Sequence, residues 1–237
     1  MTRNAALDEV DRMLTSSGRP SVVVHVNAHA LNLANRHPRY RRALRRADLV
    51  LNDGPVLALV GRLHGTAFPA DLDANGFTPL LLRRAAVRRA PVFLLGGRPG
   101  VAEVAARRLT AAIPGLKIAG YHHGDLRPGE DGEIAERIRA SGAGLLLAGM
   151  SNPQQELWLD QYLPDTGAQL GVAVGSFLDV VAQRGPRAPR WMRSLGLGRV
   201  YRQSRRSSGL RPWHVVDNPL LVCRVLRERL LQQVLGT

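Results

Sequence analysis

Several short segments place a carboxylate, amide or glycine directly after an apolar run. In LVLNDGP (49–55), Asp53 follows such a run and precedes a glycine. A carboxylate at this point can serve as a general base if it reaches a substrate hydroxyl. Asp is also a favoured N-cap residue, so Asp53 has a structural interpretation as the cap of a following helix. Taken alone, the segment favours the cap.

A second segment, LLGGRPGVAEVAARRL (94–109), runs from an apolar stretch into Gly96 and Gly97, with Gly100 near a predicted helix start. Glycines let backbone N–H groups approach a ligand closely, and a helix N-terminus attracts phosphate. The spacing is neither G-x-G-x-x-G nor the phosphate loop that ends in Gly-Lys-Ser/Thr. Nucleotide contact and an ordinary strand-to-helix turn are therefore equally good interpretations.

A third segment, NPQQE (152–156), opens a predicted helix directly after an apolar run. Asn152 is a natural N-cap, and Pro153 suits the first helical position. Capping does not require the glutamines, so Gln155 is a candidate hydrogen-bond partner for a substrate.

Metal-binding signals in the sequence are weak. The pair of carboxylates in DLD (71–73) can hold Mg²⁺ with a nucleotide diphosphate, but a solvated loop explains it at least as well. His25 and His29 lack the Glu of the zinc-protease motif, so structural histidines are the default and no metal site is predicted. The single cysteine, Cys223, excludes an intramolecular disulfide, and its apolar neighbours predict a buried thiol.

The charge balance predicts an anionic partner. The 237 residues include 33 Lys and Arg against 19 Asp and Glu, a formal net charge of +14. From Val180 to Val216 there is no acidic residue, and three aromatic residues, Trp191, Tyr201 and Trp213, are interleaved with arginines. The arginines of this segment are Arg184, Arg187, Arg190, Arg193, Arg199, Arg202, Arg205, Arg206 and Arg211. Such a mixture suits an anionic lipid surface, and it also suits RNA.

Short apolar strands alternate with helices along most of the chain. Strands are predicted at 21–26, 48–53, 91–97, 116–122, 144–150 and 168–174. Helices are predicted at 5–17, 28–36, 38–46, 54–65, 77–89, 99–112, 129–140, 152–163, 176–183 and 218–236. This alternation predicts an α/β fold with a Rossmann-like, mainly parallel sheet and helices on both faces. Ligands bind such sheets at the carboxyl ends of the strands, where the segments above and Asn27 fall.

The sequence also predicts a division into two regions and a cellular location. We expect a Rossmann-like core over 1–183 and a basic helical appendage over 184–237. The N-terminus has acidic residues and no apolar core, and no apolar run approaches the ~20 residues that span a bilayer. The sequence therefore predicts a cytoplasmic protein, for which any membrane contact would be peripheral.

Five blocks, taken in order and spacing, resemble the WecG/TagA/CpsF glycosyltransferases. They are HVNAHALNLA (25–34), ADLVLNDGPVLALVGRLHG (47–65), VFLLGGRPGVAE (92–103), LLLAGMSNPQQELWL (145–159) and GSFLDVVAQRGPRAPRWMRSLGLGRVYR (175–202). The resemblance implies an inverting, metal-independent enzyme that needs no cofactor. Its donor would be a UDP-sugar, and its acceptor a sugar on a polyprenyl diphosphate in cell-surface polysaccharide or teichoic-acid-type synthesis. Because such an acceptor lies in an anionic membrane, the resemblance also implies that the 184–237 appendage associates with the membrane. The protein would then be cytoplasmic and attached peripherally to the inner face of the cell membrane.

Residue roles are also implied by the resemblance. Asp53 matches the base, and the substrate contacts would be Asn27, Gly96, Gly97, Gly100, Asn152, Gln155 and Asp179. Candidates for the diphosphate or the membrane are Arg187, Arg190, Arg202, Arg205, Arg206 and Arg211.

One stretch departs from the pattern of the family. Residues 71–76 read DLDANG where many members have Arg-Val-x-Gly-x-Asp, so the donor stays open between an N-acetylmannosamine-like sugar and another hexose or uronic acid. The alternatives to the enzyme are an RNA-binding module, which the core blocks do not favour, and an inactive UDP-sugar-binding subunit. The apolar helix at 218–236 allows a monomer or a homo-oligomer.

Overall fold

A computed structural model describes residues 1–63, 65, 66, 68, 71–182 and 217–225. The chain divides into two compact units, Met1–Ala182 and Gln183–Thr237, here called the N-terminal unit and the C-terminal unit. In the C-terminal unit, residues 217–225 are helical. The arginine-rich segment 183–216 and the rest of the predicted final helix lie outside the described residues.

The N-terminal unit is built on one sheet. Its strands are β1 (Ser21–Val26), β2 (Leu49–Asn52), β3 (Val92–Gly96), β4 (Ile118–His122), β5 (Leu145–Gly149) and β6 (Leu170–Ala173). They lie in the order β2-β1-β6-β5-β3-β4, and every neighbouring pair is parallel. The predicted Rossmann-like α/β fold is thereby confirmed.

Helices connect these strands. They are α1 (Arg3–Thr15), α2 (Ala28–Arg36), α3 (Pro38–Arg46), α4 (Pro55–Leu63), α5 (Ala74–Val87), α6 (Val101–Ala112), α7 (Asp131–Ala140), α8 (Gln154–Tyr162) and α9 (Phe177–Ala182). A short 3₁₀ helix, Leu163–Thr166, follows α8.

Two groups of helices cover the sheet. In one group α1 contacts α5, and α9 contacts both α5 and α6; in the other, α8 contacts both α3 and α7, and α3 contacts α2. A parallel sheet with crossover helices needs such cover on both faces, because its strands are apolar on both sides. The strands β3, β5 and β6 are buried along their whole length, as their leucine-rich and valine-rich sequences require.

Local signals set some boundaries, and three expectations were wrong. The helix predicted over 77–89 begins earlier, at Ala74, because Asp73 accepts hydrogen bonds from the N–H groups of Asn75 (3.0 Å) and Gly76 (3.2 Å) and so caps α5. Asn152 does not cap α8, since Pro153 occupies the cap position. The thiol of Cys223 is exposed rather than buried.

No helix among the described residues is both long enough and apolar enough to cross a bilayer.

We expect Gly96→Ala to destabilise the protein by about 2 kcal/mol or more, because overpacking and backbone strain combine. Gly96 has a φ of +157°, and an added Cβ would lie 2.4 Å from the carbonyl oxygen of Gly149. The measurement is urea-induced unfolding. Gly132→Ala is the matched control, because a Cβ there meets nothing within 4 Å and alanine favours a helix. Equal stability of the two variants would contradict this account of the β3–β5 contact.

Candidate active site

Asp53 and Asn27 lie side by side at the carboxyl edge of the sheet. The register pairs Val26 of β1 with Asn52 of β2, so the residues that follow are also neighbours. The N–H of Asp53 donates to the carbonyl of Val26 at 2.8 Å, which fixes the backbone there. The Oδ1 of Asn27 accepts a hydrogen bond from the N–H of Ala30 at 3.0 Å and caps α2. The two predicted site residues are therefore brought together.

A short loop connects Asp53 to the helix that follows it. Because α4 begins at Pro55, Gly54 lies between Asp53 and the helix. The N–H of Gly54 donates to Oδ1 of Asp71 at 3.1 Å, and the N–H of Leu72 donates to the carbonyl of Asn52 at 3.2 Å. The loop after β2 is thus held by the 71–72 segment.

Both carboxylates of DLD (71–73) accept structural hydrogen bonds from the backbone. Asp71 holds the backbone of Gly54, and Asp73 caps α5. Within the part of the chain that the structure describes, no three His, Cys, Asp or Glu side chains come close enough to share a metal ion.

His25 is a buried neighbour of the Asp53 loop. Its ring packs edge-on against Phe77, and its Nδ1 lies 3.0 Å from the carbonyl of Ala173, to which it donates. Burial lowers the pKa of His25, while the carboxylates of Asp53 and Asp73 oppose that shift. The neutral ring leaves Nε2 as an acceptor, and this atom has no partner among the described residues.

A buried network joins the start of α8 to α3 and to the turn after β6. Glu156 is 1% exposed, and its Oε1 accepts hydrogen bonds from Nε2 of Gln155 (2.8 Å) and Nδ2 of Asn152 (2.6 Å). The Nδ2 of Asn152 also donates to the hydroxyl of Tyr40 at 3.1 Å. The Oε1 of Gln155 accepts from the N–H of Gly175 at 3.0 Å. The side chains of the predicted site residues Asn152 and Gln155 are therefore hydrogen-bonded to other residues of the protein.

Electrostatics mark Glu156 as the unusual member of this network. Burial raises the pKa of Glu156 to about 7, against its hydrogen bonds, which lower it. Burial and the nearby Glu156 carboxylate also raise the pKa of Tyr40. The Oε2 of Glu156 has no hydrogen-bond partner among the described residues. Sequence reasoning missed this group because a Glu in the first turn of a helix is explained by the helix dipole alone.

At the carboxyl ends of β3 and β5 the carboxyl edge is formed largely by glycine backbone, here called the glycine wall. The N–H of Gly97 donates to the carbonyl of Gly149 at 3.1 Å, and the carbonyl of Gly97 accepts from Gly124 at 2.8 Å. A Cβ on Gly124 would lie 2.9 Å from the Cα of Gly96. The N–H of Gly97 is thus used inside the protein. Gly100, with a φ of +84° and open space around its Cα, caps α6.

The other predicted site residues lie further along the chain. Asp179 is half-buried in the first turn of α9. The arginines proposed for the diphosphate or the membrane lie outside the described residues, and their roles stay predictions. They are Arg187, Arg190, Arg202, Arg205, Arg206 and Arg211.

A model of the glycosyl transferase WecG/TagA/CpsF family matches residues 1–234, nearly the whole chain. The chain belongs to the WecG/TagA/CpsF glycosyltransferase family. It is similar to the N-acetylglucosaminyldiphosphoundecaprenol N-acetyl-beta-D-mannosaminyltransferase of Bacillus spizizenii, with 27% identity over 207 residues. The match covers 83% of this chain and 80% of the relative. Both the predicted family and the prediction of a glycosyltransferase are confirmed.

In this WecG/TagA/CpsF enzyme, we expect Glu156→Gln to remove one component of the pH dependence of stability. The pKa of Glu156 rises from an ordinary 4.5 to about 7 on folding, so the folded state holds the proton more tightly. Its contribution is complete below pH 4.5, is lost as the pH rises towards 7, and amounts to about 3 kcal/mol. Gln does not titrate, so the variant lacks this loss.

Urea unfolding between pH 4 and 8 measures the effect. Glu133→Gln, on the exposed surface of α7, is the control and should keep the wild-type slope. An unchanged slope in Glu156→Gln would show that the buried carboxyl does not titrate in this range.

Proposed function

We propose that this glycosyltransferase moves an N-acetylmannosamine-like sugar from a UDP-sugar to a sugar on a polyprenyl diphosphate, with inversion. The observation that carries the proposal is the position of Asp53, next to Asn27 at the carboxyl edge of the sheet. The acceptor class is supported by the name of the Bacillus spizizenii relative.

In the proposed reaction, Asp53 accepts the proton of the acceptor hydroxyl as that oxygen forms its bond to the anomeric carbon. The bond from this carbon to the diphosphate oxygen breaks on the opposite face, and its electron pair leaves with UDP. Attack and departure on opposite faces invert the anomeric configuration.

The surroundings of Asp53 suit such a base. Its backbone is held by the carbonyl of Val26, and the adjoining loop is held through Asp71, so the carboxylate stays on a fixed frame. Asn27 caps α2 with its Oδ1, which orients this side chain at the same edge. Gln155 is fixed by Glu156 and Gly175, and we assign it to shaping the pocket through Gly175.

The departing diphosphate needs compensation when no metal takes part. Backbone N–H groups and cations can supply it, because both stabilise charge that develops on a leaving oxygen. We assign this task to the N-terminal turn of α6 after Gly100.

Asp53→Asn should lower UDP release by at least about a hundredfold, because the amide cannot accept the proton. The affinity for UDP, measured by calorimetry, should stay close to that of the wild type, which separates loss of a base from loss of folding. Asp165→Asn, an exposed change on the 3₁₀ helix, serves as the control. Normal turnover by the Asp53→Asn enzyme would remove Asp53 as the base.

A screen of UDP-sugars against a short-chain N-acetylglucosaminyl diphosphate lipid tests the substrates. We expect release of UDP only with the lipid acceptor present, fastest with UDP-N-acetylmannosamine, and undiminished in EDTA. Loss of turnover in EDTA would instead indicate a metal-dependent enzyme. Binding of UDP without turnover on any acceptor would favour the inactive subunit.

A further inference from the structure

A second basic surface lies on the N-terminal unit, apart from the arginine-rich segment 183–216. Between Arg12 and Ala47 the sequence has no Asp or Glu. The α2–α3 corner and α3 carry six of the arginines in this stretch, Arg36, Arg39, Arg41, Arg42, Arg45 and Arg46, and all six are exposed. This set is called the α3 arginine face below.

The arginines occupy one side of the helix. Tyr40 and Ala43 are 0% and 4% exposed and pack inward, so the helix period turns the arginines of α3 outward. Arg46 pairs with Asp160 of α8 at 3.5 Å. The other five form no ion pair with any residue that the structure describes. These five cations lie at the end of α2 and along α3. Their mutual repulsion raises the free energy of the folded protein unless an anionic partner offsets it.

The α3 arginine face begins at the same edge of the sheet as Asp53. The hydroxyl of Tyr40, in the first turn of α3, accepts a hydrogen bond from Asn152, which follows the carboxyl end of β5. Arg46, at the far end of α3, contacts Asp160, which lies two turns further along α8. The helix therefore runs away from the carboxyl edge, with Arg36 and Arg39 nearest to it.

We propose that the α3 arginine face docks the enzyme on an anionic phospholipid bilayer. The inference rests on the proposed function, because a polyprenyl-linked acceptor presents its diphosphate at such a surface. Docking through α3 would hold the carboxyl edge, with Asp53 and Asn27, close to the headgroups. Guanidinium groups bind phosphate oxygens in pairs, so the surface suits the phosphodiester of a headgroup.

The chemistry of the face favours a bilayer over RNA and predicts contact without insertion. RNA-binding surfaces place aromatic rings among their cations to stack bases, and the aromatic residue of α3, Tyr40, is buried. Of the large apolar side chains that are exposed among the described residues, none lies between 28 and 47. Attachment through this face is thus electrostatic and should weaken steeply with salt.

The test is co-sedimentation of the full chain with vesicles of phosphatidylglycerol and phosphatidylethanolamine. Each cation near such a surface contributes about fivefold to partitioning, so Arg41→Gln, Arg42→Gln and Arg45→Gln together should weaken binding by about a hundredfold. The control combines Arg3→Gln, Arg83→Gln and Arg107→Gln, exposed positions on α1, α5 and α6 with the same change of net charge. We expect the control to lose at most a few fold.

Two further readouts separate this proposal from its alternatives. Turnover on a water-soluble, short-chain acceptor should be unchanged in the α3 triple variant, while turnover on acceptor in anionic vesicles should fall with the binding. Equal loss of vesicle binding in both triple variants, or none in the α3 variant, would overturn the proposal. Loss of affinity for a single-stranded RNA with vesicle binding intact would overturn it in favour of RNA. If the wild type docks through α3 but never turns over, the proposed function fails and the docking surface stands.

Discussion

The organisation of the carboxyl edge depends on one buried carboxyl group. Glu156 lies in the interior, where a carboxyl group is tolerated only with hydrogen-bond donors around it. The amides of Asn152 and Gln155 supply those donors, and each amide then bonds to a second partner, Tyr40 or Gly175. A single desolvated group therefore ties α8 to α3 and to the turn between β6 and α9. The network thus holds this part of the carboxyl edge in place.

Most of the fold could be predicted from the sequence, because its signals are local. The β-branched run SVVVHV and the proline at the start of α3 gave the bounds of β1 and α3 as they are found. The contacts of the candidate site were harder to predict from the sequence, since they join residues that are far apart along the chain. Asn152 reaches Tyr40 across 112 positions, and local capping rules assigned it a different role. Asp53 and Asn27 were found together because parallel strands end at a common edge.

The position of the basic residues in the fold matters as well as the net charge of the protein. The segment from Val180 to Val216 has nine arginines and no acidic residue, and a second acid-free stretch, between Arg12 and Ala47, precedes β2. That stretch contributes α3, which is anchored by Tyr40 to the same network that orders the site. The α3 arginine face and the carboxyl edge of the sheet are thus connected through the buried hydroxyl of Tyr40. If α3 docks on a bilayer as proposed, this connection would orient the candidate site together with α3.

The glycines at the ends of β3 and β5 have a thermodynamic consequence. Gly96, Gly97, Gly124 and Gly149 lie so close to their neighbours that none of these positions has room for a side chain of its own. Side-chain ordering usually costs about 0.5–1.5 kcal/mol per group when a ligand binds. Here the corresponding loss of freedom is complete once the chain has folded, since glycine gives up most backbone entropy at that step. If a ligand binds here as proposed, these glycines therefore contribute no side chain that must be ordered.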